Sequence, residues 1–248
     1  MNYVRRLCSK SKGFITLGQE CNHRDGKISG LDPSHKTISN TEQPRAFIHH
    51  HSKLNTWECA TLGNRDISAA LWVTKDFNHP RIMLVSMYWE SRERLIPEKL
   101  RELAEHCRKE NIPILMGSDT NCSSTLANCT STGPRGKELE DFLAQYGMNI
   151  ANQGNSWTFF TTRKQRDESI MILKSIIDYT MTSTSIYNKI HSWEVSNEAN
   201  ESDQHTIKMK FTISTEPTID RYDYKKADWN KFRQMISEET KEWDVSES

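Results

Sequence analysis

The segment at residues 112–121 constrains the fold more than any other feature. It contains a short apolar stretch, predicted to be a buried strand, and polar side chains that could take part in a reaction follow it. Four of its first five residues are apolar, and Gly117 ends the run. Asp119 and Asn121 follow at alternate positions, past the carboxyl end of the strand, where α/β proteins place their reactive groups. Asp and Asn are also ordinary turn formers, so a plain turn is the alternative interpretation.

Strands and helices alternate along the chain. The apolar patterns predict strands at residues 14–19, 45–49, 66–74, 81–88, 112–116, 148–151, 157–161, 175–181, 193–195 and 205–213. Residues 81–88 are apolar on both faces, which is typical of a central strand. Two amphipathic helices are predicted, one that opens at Pro97 and one that follows Gly136 and ends at Gly147. Many strands and only two clear helices predict an α/β fold, with two packed sheets and helices outside them.

The domain prediction is one domain over residues 1–215, followed by an appendage over residues 216–248. The appendage begins with a polar linker. Trp229, Phe232, Met235 and Ile236 then recur at helical spacing, which predicts a helix. The last residues are acidic and serine-rich, and we expect them to be disordered.

Composition excludes some classes of function. Basic and acidic residues number 33 each, so nucleic-acid binding would need a local basic surface. No apolar run approaches the roughly 20 residues that span a bilayer, so we expect no membrane contact. The six cysteines include no Cys-x-x-Cys pair, which favours an intracellular protein with reduced thiols, nuclear if it functions on DNA. Three adjacent histidines, residues 49–51, cannot all face one ion on a strand, and they predict a solvated loop.

Polar residues end, open or, at Asp178, lie inside five of the predicted strands, and this pattern carries the functional prediction. Converging carboxylates repel one another unless a cation lies among them, and hard oxygen ligands suit Mg²⁺ or Mn²⁺. The residues concerned are Gln19 and Glu20, Tyr88, Asp119 and Asn121, Asp178, and the segment Ser202-Asp203-Gln204-His205.

Four motifs stand in a fixed order along the chain: Gln19-Glu20, Gly117-Ser118-Asp119-Thr120-Asn121, Ile177-Asp178-Tyr179 and Ser202-Asp203-Gln204-His205. Together they resemble the motif set of the endonuclease/exonuclease/phosphatase superfamily. Residues 24–31, 44–46, 134–139 and 157–159 make the chain similar to the apurinic-type endonuclease domain of non-LTR retrotransposon polyproteins. The tail at residues 226–232 resembles the link to the reverse transcriptase in such polyproteins.

The resemblance implies a four-layer α/β sandwich that nicks DNA by hydrolysing a phosphodiester with Mg²⁺ or Mn²⁺. It implies that DNA is the binding partner, and that a reverse transcriptase domain in the parent polyprotein is a second partner. The implied catalytic residues are Tyr88, Asp119, Asn121, Asp178 and His205. Glu20 would bind the metal with help from Asp203, and Arg45 and Arg135 would contact the DNA backbone.

The chain departs from the family pattern at three places. The family has histidine directly after the aspartate of Ser-Asp-His, whereas here Gln204 holds that place and His205 follows. Only 13 residues precede the predicted first strand, so we expect the family's first strand to be missing and the domain to be truncated. The residues between Thr162 and Lys174 indicate a lengthened hairpin. Two alternatives to an active nuclease stay open: an inactive retrotransposon remnant that at most binds nucleic acid, and a phosphoesterase for a small or lipid phosphate.

Overall fold

The computed structural model describes residues 13–24, 27–165, 168–196, 198, 202–213 and 228–239. The chain divides into two units, residues 1–215 and 216–248. In the described part of the first unit the strands are β1 Ile15–Gln19, β2 His23–Arg24, β3 Lys27–Ile28, β4 Lys36–Ile38, β5 Ala46–His50, β6 Thr56–Glu58, β7 Ile67–Val73, β8 Arg81–Tyr88, β9 Ile114–Asp119, β10 Met148–Ile150, β11 Phe159–Lys164, β12 Ile170–Ser175, β13 Asp178–Ser183, β14 Ile190–Val195 and β15 Ile207–Phe211. The α-helices there are α1 Glu98–Lys109, α2 Pro134–Tyr146 and the single-turn α3 Thr184–Tyr187.

The second unit contains α4, Trp229–Glu239, at the position where the sequence predicts a helix. Its apolar side chains Trp229, Phe232, Met235 and Ile236 are exposed. The predicted linker and the predicted disordered tail fall largely outside the described residues. Among the described residues, no helix is both long and apolar enough to cross a bilayer.

A six-stranded mixed sheet forms the centre of the first unit, in the order β10-β13-β9-β8-β7-β6. β8 and β9 run parallel, and the other neighbouring pairs are antiparallel. A parallel pair needs a crossover connection, which α1 provides. Seven of the eight residues of β8 are buried, which confirms the prediction of a central strand at residues 81–88.

The outer face of this sheet packs against the two predicted helices. α1 opens directly after Pro97, and α2 ends at Gly147, which adopts the left-handed conformation. Alternate residues of the central strands, such as Met83, Val85 and Met116, form one core with the buried faces of both helices. The helical residues in this core are Leu100, Leu103, Ala104, Cys107, Leu139, Phe142 and Leu143.

The inner face of the sheet packs against a second layer of strands. This layer contains a three-stranded sheet, β1-β5-β4, and the hairpin β14–β15. Leu17 of β1 lies against Gly117, where an added Cβ would be only 3.0 Å away. The expected α/β class with two packed sheets is therefore confirmed. β1 pairs with β5 alone, so among the described residues β1 is the edge of its sheet.

The prediction of a solvated histidine loop is wrong. His49 and His50 lie in β5, which is buried along its whole length. His49 Nδ1 lies 2.9 Å from Thr37 Oγ1, and His50 Nε2 lies 2.7 Å from Thr56 Oγ1. Burial lowers the pKa of His49 to about 4. The sequence pattern fails here because each ring contacts a threonine hydroxyl inside the fold, and polarity alone cannot reveal such partners.

Gly136, in the first turn of α2, allows the helix to approach the loop that follows Asn121. An added Cβ at Gly136 would lie 1.9 Å from the main-chain oxygen of Ser123. We expect Gly136→Ala to lower the free energy of unfolding by about 1–3 kcal/mol, because the backbone must shift. Gly133→Ala is the matched control, since its Cβ would meet only the rotatable Ser123 Oγ at 3.2 Å. Equal losses in urea unfolding of the two variants would contradict this packing argument.

Candidate active site

Three polar residues form a row across neighbouring strands of the large sheet. Tyr88 at the end of β8 pairs with Asp119 at the end of β9. Asp119 pairs in turn with Asp178 at the start of β13. Residues paired in register point to the same face of a sheet. The three side chains therefore line up on the inner face, where the second layer of strands lies.

Hydrogen bonds attach the end of β1, which belongs to the second layer of strands, to the large sheet beside this row. Gln19 Nε2 donates to Ser86 Oγ at 2.8 Å and to the main-chain oxygen of Gly117 at 3.0 Å. Glu20 follows with a φ of 50°, a left-handed turn that ends the strand. Burial, together with the neighbouring Glu20 carboxylate, raises the pKa of Tyr88 well above its usual value. Glu20 therefore lies at the same site as Tyr88.

The Asp119 and Asp178 carboxylates are both buried. Asp119 Oδ2 accepts a hydrogen bond from Gln204 Nε2 at 2.7 Å, and its Oδ1 accepts one from the Asn121 N–H at 3.2 Å. Burial nevertheless raises the pKa of Asp119 to about 6, against the effect of both bonds. Burial and the nearby Asp119 also raise the pKa of Asp178 well above its usual value. Among the described residues Asp178 Oδ2 has no hydrogen-bond partner.

Gln204, rather than His205, is the residue of its segment that bonds to Asp119. The segment runs antiparallel to the start of β11: Phe160 N donates to the Asp203 oxygen at 2.8 Å, and His205 N donates to the Thr158 oxygen at 2.7 Å. Neighbouring residues of an extended segment project to opposite sides. With Gln204 directed at Asp119, this register orients Asp203 and His205 away from the row. The catalytic role of His205 and the metal-binding role of Asp203 stay predictions.

Asn121 also lies beside the row, in the left-handed conformation with a φ of 48°. Its side-chain Nδ2 donates to the main-chain oxygen of Trp89 at 3.3 Å. Asn121 thus joins the loop after β9 to the loop after β8, and it presents its N–H to Asp119. This arrangement lets it orient the carboxylate.

Arg45 is held by acidic neighbours at the other end of the row. Its Nε and Nη2 donate to the two oxygens of Asp66 at 2.5 and 2.7 Å, and its Nη1 donates to Glu90. Its guanidinium carbon lies 4.7 Å from the centroid of the Tyr88 ring. Asp66 in turn accepts a hydrogen bond from Tyr88 N through its main-chain oxygen at 2.8 Å. The bidentate pair fixes the position of the Tyr88 ring, a function that sequence reasoning missed.

Arg135 joins the two loops at the carboxyl ends of β8 and β9. Its guanidinium carbon lies 4.0 Å from the centroid of the Trp89 ring. Its Nη atoms donate to the main-chain oxygens of Thr120 at 2.7 Å, of Glu90 at 2.8 Å, of Trp89 at 3.2 Å and of Glu93. This geometry favours a positioning role for Arg135, and a direct phosphate contact through its Nη atoms would have to share donors already in use.

The donor set fits a hard divalent cation only in part. In the part of the chain that the structure describes, no three His, Cys, Asp or Glu side chains form a ready-made metal cluster. Mg²⁺, however, usually keeps several waters and binds through one or two carboxylates and substrate phosphates. The exposed Glu20 offers one such carboxylate beside the row. The unpartnered Asp178 oxygen and the raised pKa values of both aspartates show that the protein does not offset the cost of ionising either carboxylate.

We expect Asp178→Asn to stabilise the folded chain, increasingly so as the pH rises. The pKa of Asp178 is raised in the folded state, so its carboxyl favours folding at low pH and this contribution is lost as the pH rises above about 4. The isosteric amide does not ionise, and it can donate towards Asp119. At pH 8 the gain should be about 1–3 kcal/mol, the usual cost of an unsatisfied buried polar group. Urea unfolding between pH 4 and pH 8 measures the difference, and a difference that does not grow with pH would contradict the assignment.

The chain is similar to known proteins in sequence and in fold. A family model described as endonuclease-reverse transcriptase matches residues 82–208, which is more than half of the chain. This stretch includes Tyr88, Asp119, Asp178 and Gln204. No curated protein matches the sequence.

Three solved structures show the same fold at low sequence identity. The endonuclease domain of TRAS1, a telomere-specific non-LTR retrotransposon, is 21% identical, with 80% of each chain covered and a TM-score of 0.60. The AP endonuclease LMAP from Leishmania major is 13% identical, covering 84% of this chain and 81% of its own, with a TM-score of 0.59. The 3′ phosphatase NExo from Neisseria, bound to a product DNA hairpin, is 14% identical, covering 84% and 93%, with a TM-score of 0.57. The chain therefore belongs to the endonuclease-reverse transcriptase family, within the endonuclease/exonuclease/phosphatase superfamily.

Proposed function

We propose that this chain is a retrotransposon-type endonuclease domain that nicks DNA by metal-dependent hydrolysis of a phosphodiester. The observation that carries the proposal is the in-register row of Tyr88, Asp119 and Asp178, with Glu20 brought to it from the second layer of strands. The fold similarity to the TRAS1 endonuclease domain and to a DNA-bound phosphatase supports DNA as the substrate. A reverse transcriptase domain in the parent polyprotein and a nuclear location belong to the same proposal.

Asp119 is the proposed general base. Its pKa of about 6 keeps it largely ionised at neutral pH, yet close enough to neutrality to accept a proton from the attacking water. Gln204 Nε2 and the Asn121 N–H hold its two oxygens in a defined orientation. Asp178 carries a strongly raised pKa and serves as a neutral neighbour, which limits charge repulsion in the row.

Tyr88 is the proposed donor to a phosphate oxygen. Its raised pKa keeps the hydroxyl protonated, and Arg45 holds its ring in place. A bound Mg²⁺ or Mn²⁺ would stabilise negative charge on the reacting phosphate and help to ionise water. Glu20 is the proposed main ligand, with Asp203 as the second if it turns towards the row. Arg45 and Arg135 would serve DNA binding chiefly by holding the surface that faces the backbone.

The position of Gln204 sets an upper limit on the expected rate. A side-chain amide can donate a hydrogen bond to Asp119, but it cannot give a proton to the leaving oxygen as an imidazole can. The departing 3′ oxygen would then take its proton from water. This observation favours a weak enzyme, and it also keeps the inactive remnant as the second candidate function.

A supercoiled-plasmid nicking assay with Mg²⁺ or Mn²⁺ tests the proposal. We expect nicking that needs the metal, rises with pH through about 6 as Asp119 ionises, and falls by about 100-fold or more in Asp119→Asn. Asp141→Asn is the matched control, because Asp141 lies on the exposed face of α2 in a pair with Lys137. No nicking by the folded chain would favour the remnant. Cleavage of a chromogenic phosphodiester without nicking would favour the small-phosphate alternative.

Two substitutions at Gln204 separate proton transfer from orientation. We expect Gln204→His to increase nicking about tenfold or more, because an imidazole beside Asp119 can transfer a proton. Gln204→Met keeps the length of the side chain and removes the donor to Asp119. It should lower the rate and move the acidic limb of the pH profile to higher pH. The Gln204 hydrogen bond lowers the pKa of Asp119, so its loss raises that pKa. Equal rates and equal pH profiles in both variants would contradict the role given to this position.

A further inference from the structure

The hairpin β11–β12 carries an exposed apolar strand that the proposed reaction does not use. The two strands pair antiparallel from Phe159 with Ser175 to Lys164 with Ile170. Ile170, Met171 and Ile172 of β12 are 70%, 42% and 59% exposed. Four apolar residues follow one another at positions 170–173, without a charge or a proline among them. Such a run is rare on the surface of a protein unless something covers it.

One edge of this strand is open for pairing. β12 bonds to β11 on one side, and no strand pairs with its other side in the described part of the chain. β11, in contrast, has a second neighbour, because its first residue, Phe159, forms an antiparallel bridge with Gln204. An exposed apolar edge is a template for another extended strand, because its main-chain donors and acceptors remain available.

The sequence of this edge is complementary to itself. If two copies of β12 pair antiparallel about Met171, Ile170 of each copy lies opposite Ile172 of the other. The same register brings Glu168, just before the strand, to the level of Lys174 of the second copy. Ile170, Ile172 and Lys174 have even numbers and share one face of the strand, and Glu168 lies in the turn that leads into it, with a φ of 67°. Opposite charges directly across a sheet stabilise it, and like charges destabilise it. A register centred on Ile172 instead would place Lys174 opposite Ile170.

We propose that this edge binds a second copy of the chain. The two copies form a homodimer through a continuous four-stranded sheet, β11-β12 of one copy and β12-β11 of the other. The contact is isologous, so each ion pair and each isoleucine pair occurs twice. In the single chain Glu168 lies 3.3 Å from Lys164, and Lys174 lies over the Trp157 ring at 4.7 Å. The Glu168 and Lys174 side chains are exposed on the hairpin, so each can leave these contacts and form an ion pair with the other residue on the second copy.

A charge-swap series tests the proposal in the full chain by sedimentation over a range of concentrations. We expect a dimer that Lys174→Glu and Glu168→Lys each weaken about tenfold, because each places like charges opposite one another twice. The double variant Glu168→Lys/Lys174→Glu reverses both charges and should restore the dimer. A chain that is monomeric at every concentration would overturn the proposal. A dimer or larger assembly that responds to none of these substitutions would overturn it as well.

Cysteine cross-linking tests the register independently of affinity. Met171→Cys places two cysteines opposite one another on the two-fold axis, within the Cα separation that a disulfide requires. Under mild oxidation it should form a covalent dimer. Ile172→Cys is the matched control: its two copies lie about 8 Å apart in this register, from strand spacing and rise, and should not cross-link. Cross-linking by Ile172→Cys in place of Met171→Cys would reject the proposed pairing. Binding of the hairpin to DNA by a chain that forms no dimer would reject it as well.

Discussion

The parallel pairing of β8 with β9 is the constraint on which the rest of the molecule depends. Parallel neighbours end at the same edge of a sheet, so Tyr88 and Asp119 emerge side by side. β13 runs antiparallel to β9 and begins at that edge, which adds Asp178 to the row. The same pairing requires a crossover, and α1 supplies it on the outer face. The inner face is thereby left for the second layer of strands, which brings Gln19 and Glu20.

The buried carboxylates distinguish this edge from an ordinary strand end. A structural role would leave each carboxylate paired, because an unpaired buried charge costs several kcal/mol. Asp119 receives two hydrogen bonds, yet its pKa is still raised, and one oxygen of Asp178 has no partner among the described residues. The protein therefore does not offset the cost of ionising these buried carboxylates. Strongly perturbed carboxylates of this kind are typical of sites that act on a ligand or a cation.

Two arginines hold the loops that surround the row, by different means. Arg45 uses a bidentate pair with Asp66 and lies over the Tyr88 ring. Arg135 stacks on Trp89 and bonds to main-chain oxygens of both strand-end loops. Each side chain spends its Nη donors inside the protein. The family motifs around these arginines thus have a physical reason in the architecture of the site, whether or not either residue also contacts DNA.

The sequence by itself determined the α/β class, the central strand at residues 81–88, both long helices and the polar strand ends. These features follow from local periodicity, capping residues and the run of apolar residues before Asp119, all of which are readable over short stretches. It also indicated that either Gln204 or His205 is the residue of the last motif that lies at the site. Only the tertiary structure decided that Gln204 bonds to Asp119, because the register of that segment against β11 depends on residues far away in the chain. It likewise decided that His49 and His50 are buried beside threonines, and that Asp119 and Asp178 are neighbours. A pattern of residue types cannot specify contacts between distant segments, since packing and hydrogen bonding across layers select them.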